Sequence, residues 1–186
     1  MHYPSGVKKT QKKEVNYANR GMTLEDDLNQ TNNYYLIHDI AIVHKKPTPI
    51  TINKVDYKNR HDAIIKEARF IIPSTTDYNG IYKGKYIDFE AKETKSKTSF
   101  PLNNFHEHQI NHLRSVLRHN GIAFIIVRFT SLNETYYLDA KDLVSFIDNN
   151  NRKSIPYYYF KECGHLIIDR YNPRVDYISI VDKLFF

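Results

Sequence analysis

Residues 122–129 read IAFIIVRF, and this apolar, β-branched run predicts the strongest buried strand in the chain. Before it, residues 104–119 have helical spacing of apolar side chains, and Gly121 marks the end of that helix. After it, residues 134–138 predict a hairpin partner and residues 140–148 a second helix. This order predicts an α/β fold in which helices flank a mixed sheet.

The N-terminal half predicts further elements of such a fold. Thr23 is suited to cap the start of a helix. Residues 34–43, YYLIHDIAIV, are rich in aromatic and β-branched side chains and predict a buried strand. Residues 75–92 predict two strands, with candidate turns at Asn79-Gly80 and at Lys83-Gly84.

Two segments outside this pattern are basic. Residues 1–20 lack periodicity and predict a mobile N-terminal arm, followed by a domain at 21–186. Residues 50–72 alternate at both ends and predict a two-stranded excursion, an insertion at about 47–73, although an ordinary surface hairpin would look the same. The basic residues in and beside these segments are candidates to contact the phosphates of a polyanionic partner such as DNA; they are Arg20, Lys45, Lys46, Lys54, Lys58, Arg60, Lys66 and Arg69.

Length and composition set limits on the protein class. A chain of 186 residues with 41% hydrophobic residues suits one domain with a real core. The net charge of +6 favours a polyanionic partner. Cys163 is the single cysteine, so an internal disulfide is excluded. Neither a signal peptide nor a membrane-spanning run is visible, and we expect a cytoplasmic protein without membrane contacts.

An acidic and basic set of residues suggests the chemistry. In a strand over residues 86–92, YIDFEAK, alternation places Asp88, Glu90 and Lys92 on one face. Two carboxylates at this spacing repel each other, and a hard divalent cation would offset that repulsion. Asp77, on the preceding segment, supplies a further carboxylate if the two segments pair.

This combination suits phosphodiester hydrolysis. Mg²⁺ is usually held by one or two carboxylates and keeps sites for water and phosphate oxygens. Such a metal activates water and offsets charge on the attacked phosphate, while Lys92 is placed to stabilise the transition state. A zinc site of the HExxH type fails because Ile110 stands where the second histidine is needed. His108 and His112 have helical spacing for a metal, although the sequence favours exposed or DNA-facing roles.

At these residues the chain closely resembles the RecU family of bacterial Holliday junction resolvases, which are PD-(D/E)xK nucleases. The resemblance covers residues 15–186 in collinear order. The segments that carry it are 19–22, 24–25, 44–49, 73–80, 86–94, 98–102, 173–174 and 176–177.

The resemblance implies a restriction-endonuclease-like fold with a stalk at the 50–72 excursion. It implies a homodimer in which each subunit cuts one of two like-polarity strands of a four-way DNA junction, with a recombinase and branch-migration proteins as family-level partners. The metal is Mg²⁺, with Mn²⁺ as a substitute, and the implied ligands are Thr75, Asp77, Glu90 and Gln109. The implied catalytic residues are Asp77, Asp88, Glu90 and Lys92, where the part of Asp88 is open.

Two alternatives remain on sequence alone. The first is a restriction-type or mobile-element nuclease of the same fold that cuts ordinary duplex DNA. The second is a module that binds junctions without cutting them, which the presence of Asp77, Glu90 and Lys92 disfavours.

Overall fold

A six-stranded mixed sheet forms the centre of the computed structural model, which describes residues 23–56, 63–71 and 75–186. The predicted arm at 1–20 lies outside the described residues. The strands described are β1 (Ile42–Lys45), β2 (Ile50–Asp56), β3 (Ile64–Phe70), β4 (Tyr78–Tyr82), β5 (Lys85–Thr94), β6 (Ser99–Pro101), β7 (Ile122–Phe129), β8 (Glu134–Asp139), β9 (Ser154–Pro156) and β10 (His165–Ile167). The α-helices described are α1 (Leu24–Ile37), α2 (Glu107–Arg118), α3 (Ala140–Asn149), α4 (Tyr157–Glu162) and α5 (Ile178–Phe185).

The order of the main sheet is β1-β4-β5-β7-β8-β10. Strands β5 and β7 are parallel, and the other neighbouring strands are antiparallel. Side chains of β7 alternate between two cores: Phe124 and Ile126 face α1 and α5, whereas Ile125 and Val127 face α2 and α3. The predicted fold class, a mixed sheet flanked by helices, is therefore confirmed.

The prediction of a strand at residues 34–43 is wrong over its first part. Residues 34–37 complete α1, and the chain joins β1 only at Ile42. Thr23 does cap α1, as predicted, in a capping box. The error has a physical reason, because a short apolar run does not distinguish a helical turn from a strand. Here Tyr35 belongs to α1, and its side chain is buried in the core.

The two predicted turns have different outcomes. Lys83 and Gly84 link β4 to β5 with positive φ angles of 45° and 75°, as a tight hairpin turn requires. Asn79-Gly80 is not a turn and lies inside β4. A Cβ atom on Gly80 would lie 2.1 Å from the carbonyl oxygen of Ile42, so glycine permits the close approach of β1.

Strands β2 and β3 form a separate two-stranded sheet, which we call the stalk hairpin. Their register runs from Ile50 opposite Phe70 to Asp56 opposite Ile64. All seven residues of β3 are exposed. The stalk hairpin follows β1 in the chain and precedes β4, so it is inserted between two neighbouring strands of the main sheet. The exact bounds of the insertion stay a prediction.

Candidate active site

Strand β5 carries the two buried carboxylates of the site. Asp88 and Glu90 are both 0% exposed and contact side chains of α2, whereas Ile87 and Phe89 point into the core on the opposite face. This alternation is the one predicted from the sequence. The pairing of β5 with β4 and β7 on its two sides holds the strand at the centre of the sheet.

Glu90 lies at the meeting point of three elements. The backbone N–H of Asp77 donates to its Oε2 at 3.1 Å, and Nε2 of Gln109 donates to its Oε1 at 2.7 Å. The ammonium of Lys92 forms an ion pair with the same Oε1. The structure thus brings together four residues predicted for the site, from the loop before β4, from β5 and from α2.

The electrostatics of Glu90 are unusual for a carboxylate. Burial, followed by the negative charge of Asp77, raises its pKa to about 8, although Lys92 acts in the opposite direction. One lysine therefore does not compensate the two carboxylates, and a divalent cation beside them would favour the ionised form of Glu90.

The side chain of Gln109 also makes a hydrogen bond at the start of its own helix, α2. Its Oε1 accepts from the backbone N–H of His106 at 3.0 Å, in a capping box at the start of α2. The amide nitrogen therefore faces Glu90, and the oxygen faces the helix end. To present an oxygen to a metal, as the resemblance implies, the amide of Gln109 would have to turn over.

Asp88 has a separate environment filled with donors. Lys46 reaches its Oδ2 at 2.8 Å, the hydroxyl of Tyr86 donates at 2.7 Å, and Nε2 of His112 lies at 3.1 Å. The hydroxyl of Thr76 donates to its other oxygen, Oδ1. Lys46, Thr76, Tyr86 and His112 thus satisfy a carboxylate whose setting the sequence left open.

Thr75 and Thr76 differ in their contacts. Residues 75–77 precede β4, so strand alternation does not determine whether the side chains of Thr75 and Asp77 share a face. Thr75 is half-buried, and its hydroxyl donates to the carbonyl of Thr76 at 3.4 Å. Thr76 is buried and bonds to Asp88. The role of Thr75 as a metal ligand stays a prediction.

The histidines of α2 are also placed. His112 is bonded to Asp88, with 22% of its side chain exposed. His108 stacks on His106 at a centroid separation of 5.4 Å, and its Nε2 is buried without a hydrogen-bond partner among the described residues. Within the described ranges, no group of three His, Cys, Asp or Glu side chains is arranged as a metal centre.

A site for Mg²⁺ fits this donor set nonetheless. Mg²⁺ prefers oxygen ligands and often takes only one or two protein carboxylates, leaving the remaining positions to water and substrate phosphate. Asp77 and Glu90 provide two carboxylates near each other, and a concave surface lined by Thr23, Glu25, Asp77 and Lys92 adjoins them. These residues suffice for a metal that also binds substrate.

The basic residues predicted to contact DNA fall into three groups. Arg20, Lys58 and Arg60 lie outside the described residues. Three others are ion-paired: Lys45 with Glu25, Lys46 with Asp88 and Lys66 with Asp56. Lys54 and Arg69 are exposed on the stalk hairpin. DNA contact through these residues stays a prediction.

The fold and the site together define a class: an α/β protein in which Asp77, before β4, meets Glu90 and Lys92 of the central strand β5, the residue pattern typical of PD-(D/E)xK proteins. A family model described as "RecU: Recombination protein U" matches residues 19–183. The chain belongs to the RecU family.

Curated relatives agree with this assignment. A protein of Geobacillus sp. (strain WCH70) named "Holliday junction resolvase RecU" is 61% identical over 176 residues, covering 93% of this chain and 88% of the relative. A protein of the same name from Bacillus cytotoxicus is 56% identical over 197 aligned residues, covering 100% of this chain and 98% of the relative.

A solved structure of the Holliday junction resolvase Hjc from Archaeoglobus fulgidus shares 10% identity at a TM-score of 0.35, over 50% of this chain and 71% of that one. In the part of the chain that the structure describes, helices long and apolar enough to cross a membrane are absent.

Proposed function

We propose that this protein is a structure-selective endonuclease that resolves Holliday junctions by Mg²⁺-dependent hydrolysis of phosphodiester bonds. The observation that carries the proposal is that Asp77 and Lys92 both contact Glu90. The chain is also 61% identical to one protein named Holliday junction resolvase RecU and 56% identical to another. The net charge of +6 supports a DNA substrate. Action on DNA makes a cytoplasmic location part of the proposal.

Asp77 and Glu90 would hold the metal, with Thr75 and Gln109 as further candidate ligands. When bound, the metal supplies Lewis-acid activation of water and of the scissile phosphate. The side chain of Lys92 is 23% exposed, so a phosphate in the adjoining concavity can reach its ammonium group. There it stabilises the charge that develops on the phosphate during attack.

The proposal includes a homodimer. A four-way junction presents two equivalent strands related by an approximate two-fold axis, and a two-fold dimer presents two equivalent active sites to them. Paired cuts then leave ends that can be joined. Sedimentation equilibrium of the full chain tests this part, and a monomer at the concentrations that support cleavage would contradict it.

The decisive experiment compares a synthetic four-way junction with a linear duplex of the same sequence, in Mg²⁺ and in EDTA, with strand mapping of the products. We expect symmetric cuts in the junction, dependence on Mg²⁺, and little cutting of the duplex. Equal cutting of the duplex would favour a restriction-type or mobile-element enzyme. Deletion of residues 47–73 should then leave cutting intact, whereas a resolvase should lose its junction selectivity.

Asp77→Ala distinguishes the enzyme from a binding module. We expect it to retain junction binding and to lose cleavage by at least about a thousandfold, because it removes a proposed metal ligand. Glu162→Ala is a matched control, because Glu162 is an exposed carboxylate on α4. Unchanged cleavage in Asp77→Ala would refute the site assignment.

A further inference from the structure

Lys46 joins the root of the stalk hairpin to the segment that carries Asp77. It directly follows β1, and its backbone N–H donates to the carbonyl of Asp77 at 2.8 Å. Its Nζ donates to the hydroxyl of Thr76 at 3.0 Å and to Oδ2 of Asp88 at 2.8 Å. One residue thus holds both the backbone and a side chain of the segment before β4, and anchors them to β5.

Strand β3, the second strand of the stalk hairpin, ends beside the residue that precedes β2. The N–H of Ile71 donates to the carbonyl of Pro49 at 3.0 Å, which closes the root of the hairpin. The chain reaches Thr75 four residues after Ile71 and Asp77 two residues later. A displacement of the root therefore acts on the Asp77 segment through Lys46.

Burial distinguishes Lys46 from a residue that binds phosphate at the surface. Its side chain is 19% exposed and its ion-pair partner Asp88 is 0% exposed. Lys45, its neighbour, is 40% exposed and pairs with Glu25, which is 55% exposed. Two of the three ammonium donors of Lys46 are already bound to Thr76 and Asp88. These contacts suit a fixed internal position better than the DNA contact predicted from sequence.

We propose that Lys46 is a positioning residue that couples the stalk hairpin to Asp77 through its contacts with Thr76 and Asp88. The inference rests on the proposed function, because it concerns the placement of a proposed metal ligand. Contact of the stalk hairpin with a junction sets the position of the root, and Lys46 transmits that position to the Asp77 segment. Shape recognition at the stalk and cleavage at β5 are then linked by one side chain.

The test compares Lys46→Met, which keeps the aliphatic stem, with Lys46→Arg, which keeps the charge. Lys83→Met is the charge-matched control, because Lys83 lies in the β4–β5 turn and pairs with Asp182 at 2.6 Å. Three quantities are measured on the full chain: junction affinity without Mg²⁺, the single-turnover cleavage rate at saturating protein, and amide hydrogen exchange without DNA.

For Lys46→Met we expect junction affinity within about threefold of the parent and a cleavage rate lower by about ten- to a hundredfold, the usual effect of losing charge-assisted bonds. Hydrogen exchange should rise in peptides over 42–49 and 75–82 but not in α3. Lys46→Arg should recover most of the rate, and Lys83→Met should match the parent.

Three results would overturn the inference. The first is a cleavage rate of Lys46→Met equal to that of Lys83→Met. The second is a loss of affinity large enough to explain the loss of cleavage, which would make Lys46 a DNA contact. The third is a general rise in exchange that includes α3, which would indicate a merely structural role. If the parent does not cut the junction, the proposed function fails, and the exchange comparison still decides whether Lys46 orders the Asp77 segment.

Discussion

Asp88 and Glu90 lie two residues apart on β5, on the same face and equally buried, yet their surroundings differ. Asp88 is bonded to four donor side chains, including the ammonium of Lys46. Glu90 accepts from the ammonium of Lys92, the amide of Gln109 and the backbone N–H of Asp77, but it also lies against a second carboxylate, that of Asp77, which contributes to a pKa of about 8. One carboxylate is satisfied by the protein, and the other has a deficit of positive charge.

This difference shows how one strand can serve two purposes. A buried carboxylate with enough fixed donors has its charge compensated in place and holds its partners together, so that the loss of either partner is destabilising. A buried carboxylate beside a second negative charge is destabilising by itself and favours a mobile cation. Asp88 therefore suits the first purpose, holding the elements around the site, and Glu90 suits the second, binding the metal.

The largest expected effect is on cleavage in Glu90→Gln. The amide keeps the shape but removes a proposed metal ligand, so the single-turnover rate should fall by at least about a thousandfold. Junction binding without Mg²⁺ should be retained, as an electrophoretic mobility shift would show. A rate close to that of the parent would mean that the two carboxylates do not differ as described.

Lys92 should have a smaller effect on the same reaction. Lys92→Ala removes the ammonium beside Glu90, and we expect cleavage to slow by about a hundredfold, as for other lost transition-state donors. The affinity for Mg²⁺, measured by calorimetry, should change little. A large loss of Mg²⁺ binding would instead show that Lys92 orders the metal ligands.

Asp88→Asn should lower the stability of the folded protein, in addition to any effect on cleavage through the lost ion pair with Lys46. The substitution removes the ion-pair partner of Lys46, whose side chain is only 19% exposed. We expect a loss of about 2 kcal/mol, which lowers Tm by about 4–8 °C in a chain of this size. Differential scanning calorimetry without Mg²⁺ measures it, with Asp148→Asn as a control that breaks an exposed pair with Arg114. An equal Tm for Asp88→Asn and its control would contradict the structural purpose of Asp88.

The last expected effect is a change in Tm that depends on pH and is opposite in sign to that of Asp88→Asn. The pKa of Glu90 in the folded protein, about 8, lies above its ordinary value of 4.5, so ionisation destabilises the folded state as pH rises between these values. Without Mg²⁺, Glu90→Gln should therefore raise Tm at pH 9 and raise it less at pH 5, as differential scanning calorimetry at the two pH values would show. A larger gain in Tm at pH 5 than at pH 9 would contradict a raised pKa of Glu90 in the folded protein.

Much of the site followed from local sequence patterns. Alternation along β5 predicted that Asp88 and Glu90 share a face, and the apolar run of β7 predicted the strand beside them. The error at residues 34–43 arose where a helix end and a strand have the same composition. The resemblance added Gln109, whose contact with Glu90 spans 19 residues and has no local signal.

By itself, the sequence determined the strands and helices of the central layers, the acidic and basic residues of β5, and membership of a family with long, specific motifs. Only the tertiary structure decided which carboxylate is compensated. The partners of Asp88 include Lys46, 42 residues before it, and His112, 24 residues after it. The physical reason is that strand phase depends on neighbouring residues, whereas charge compensation in a buried site depends on which distant segments pack together.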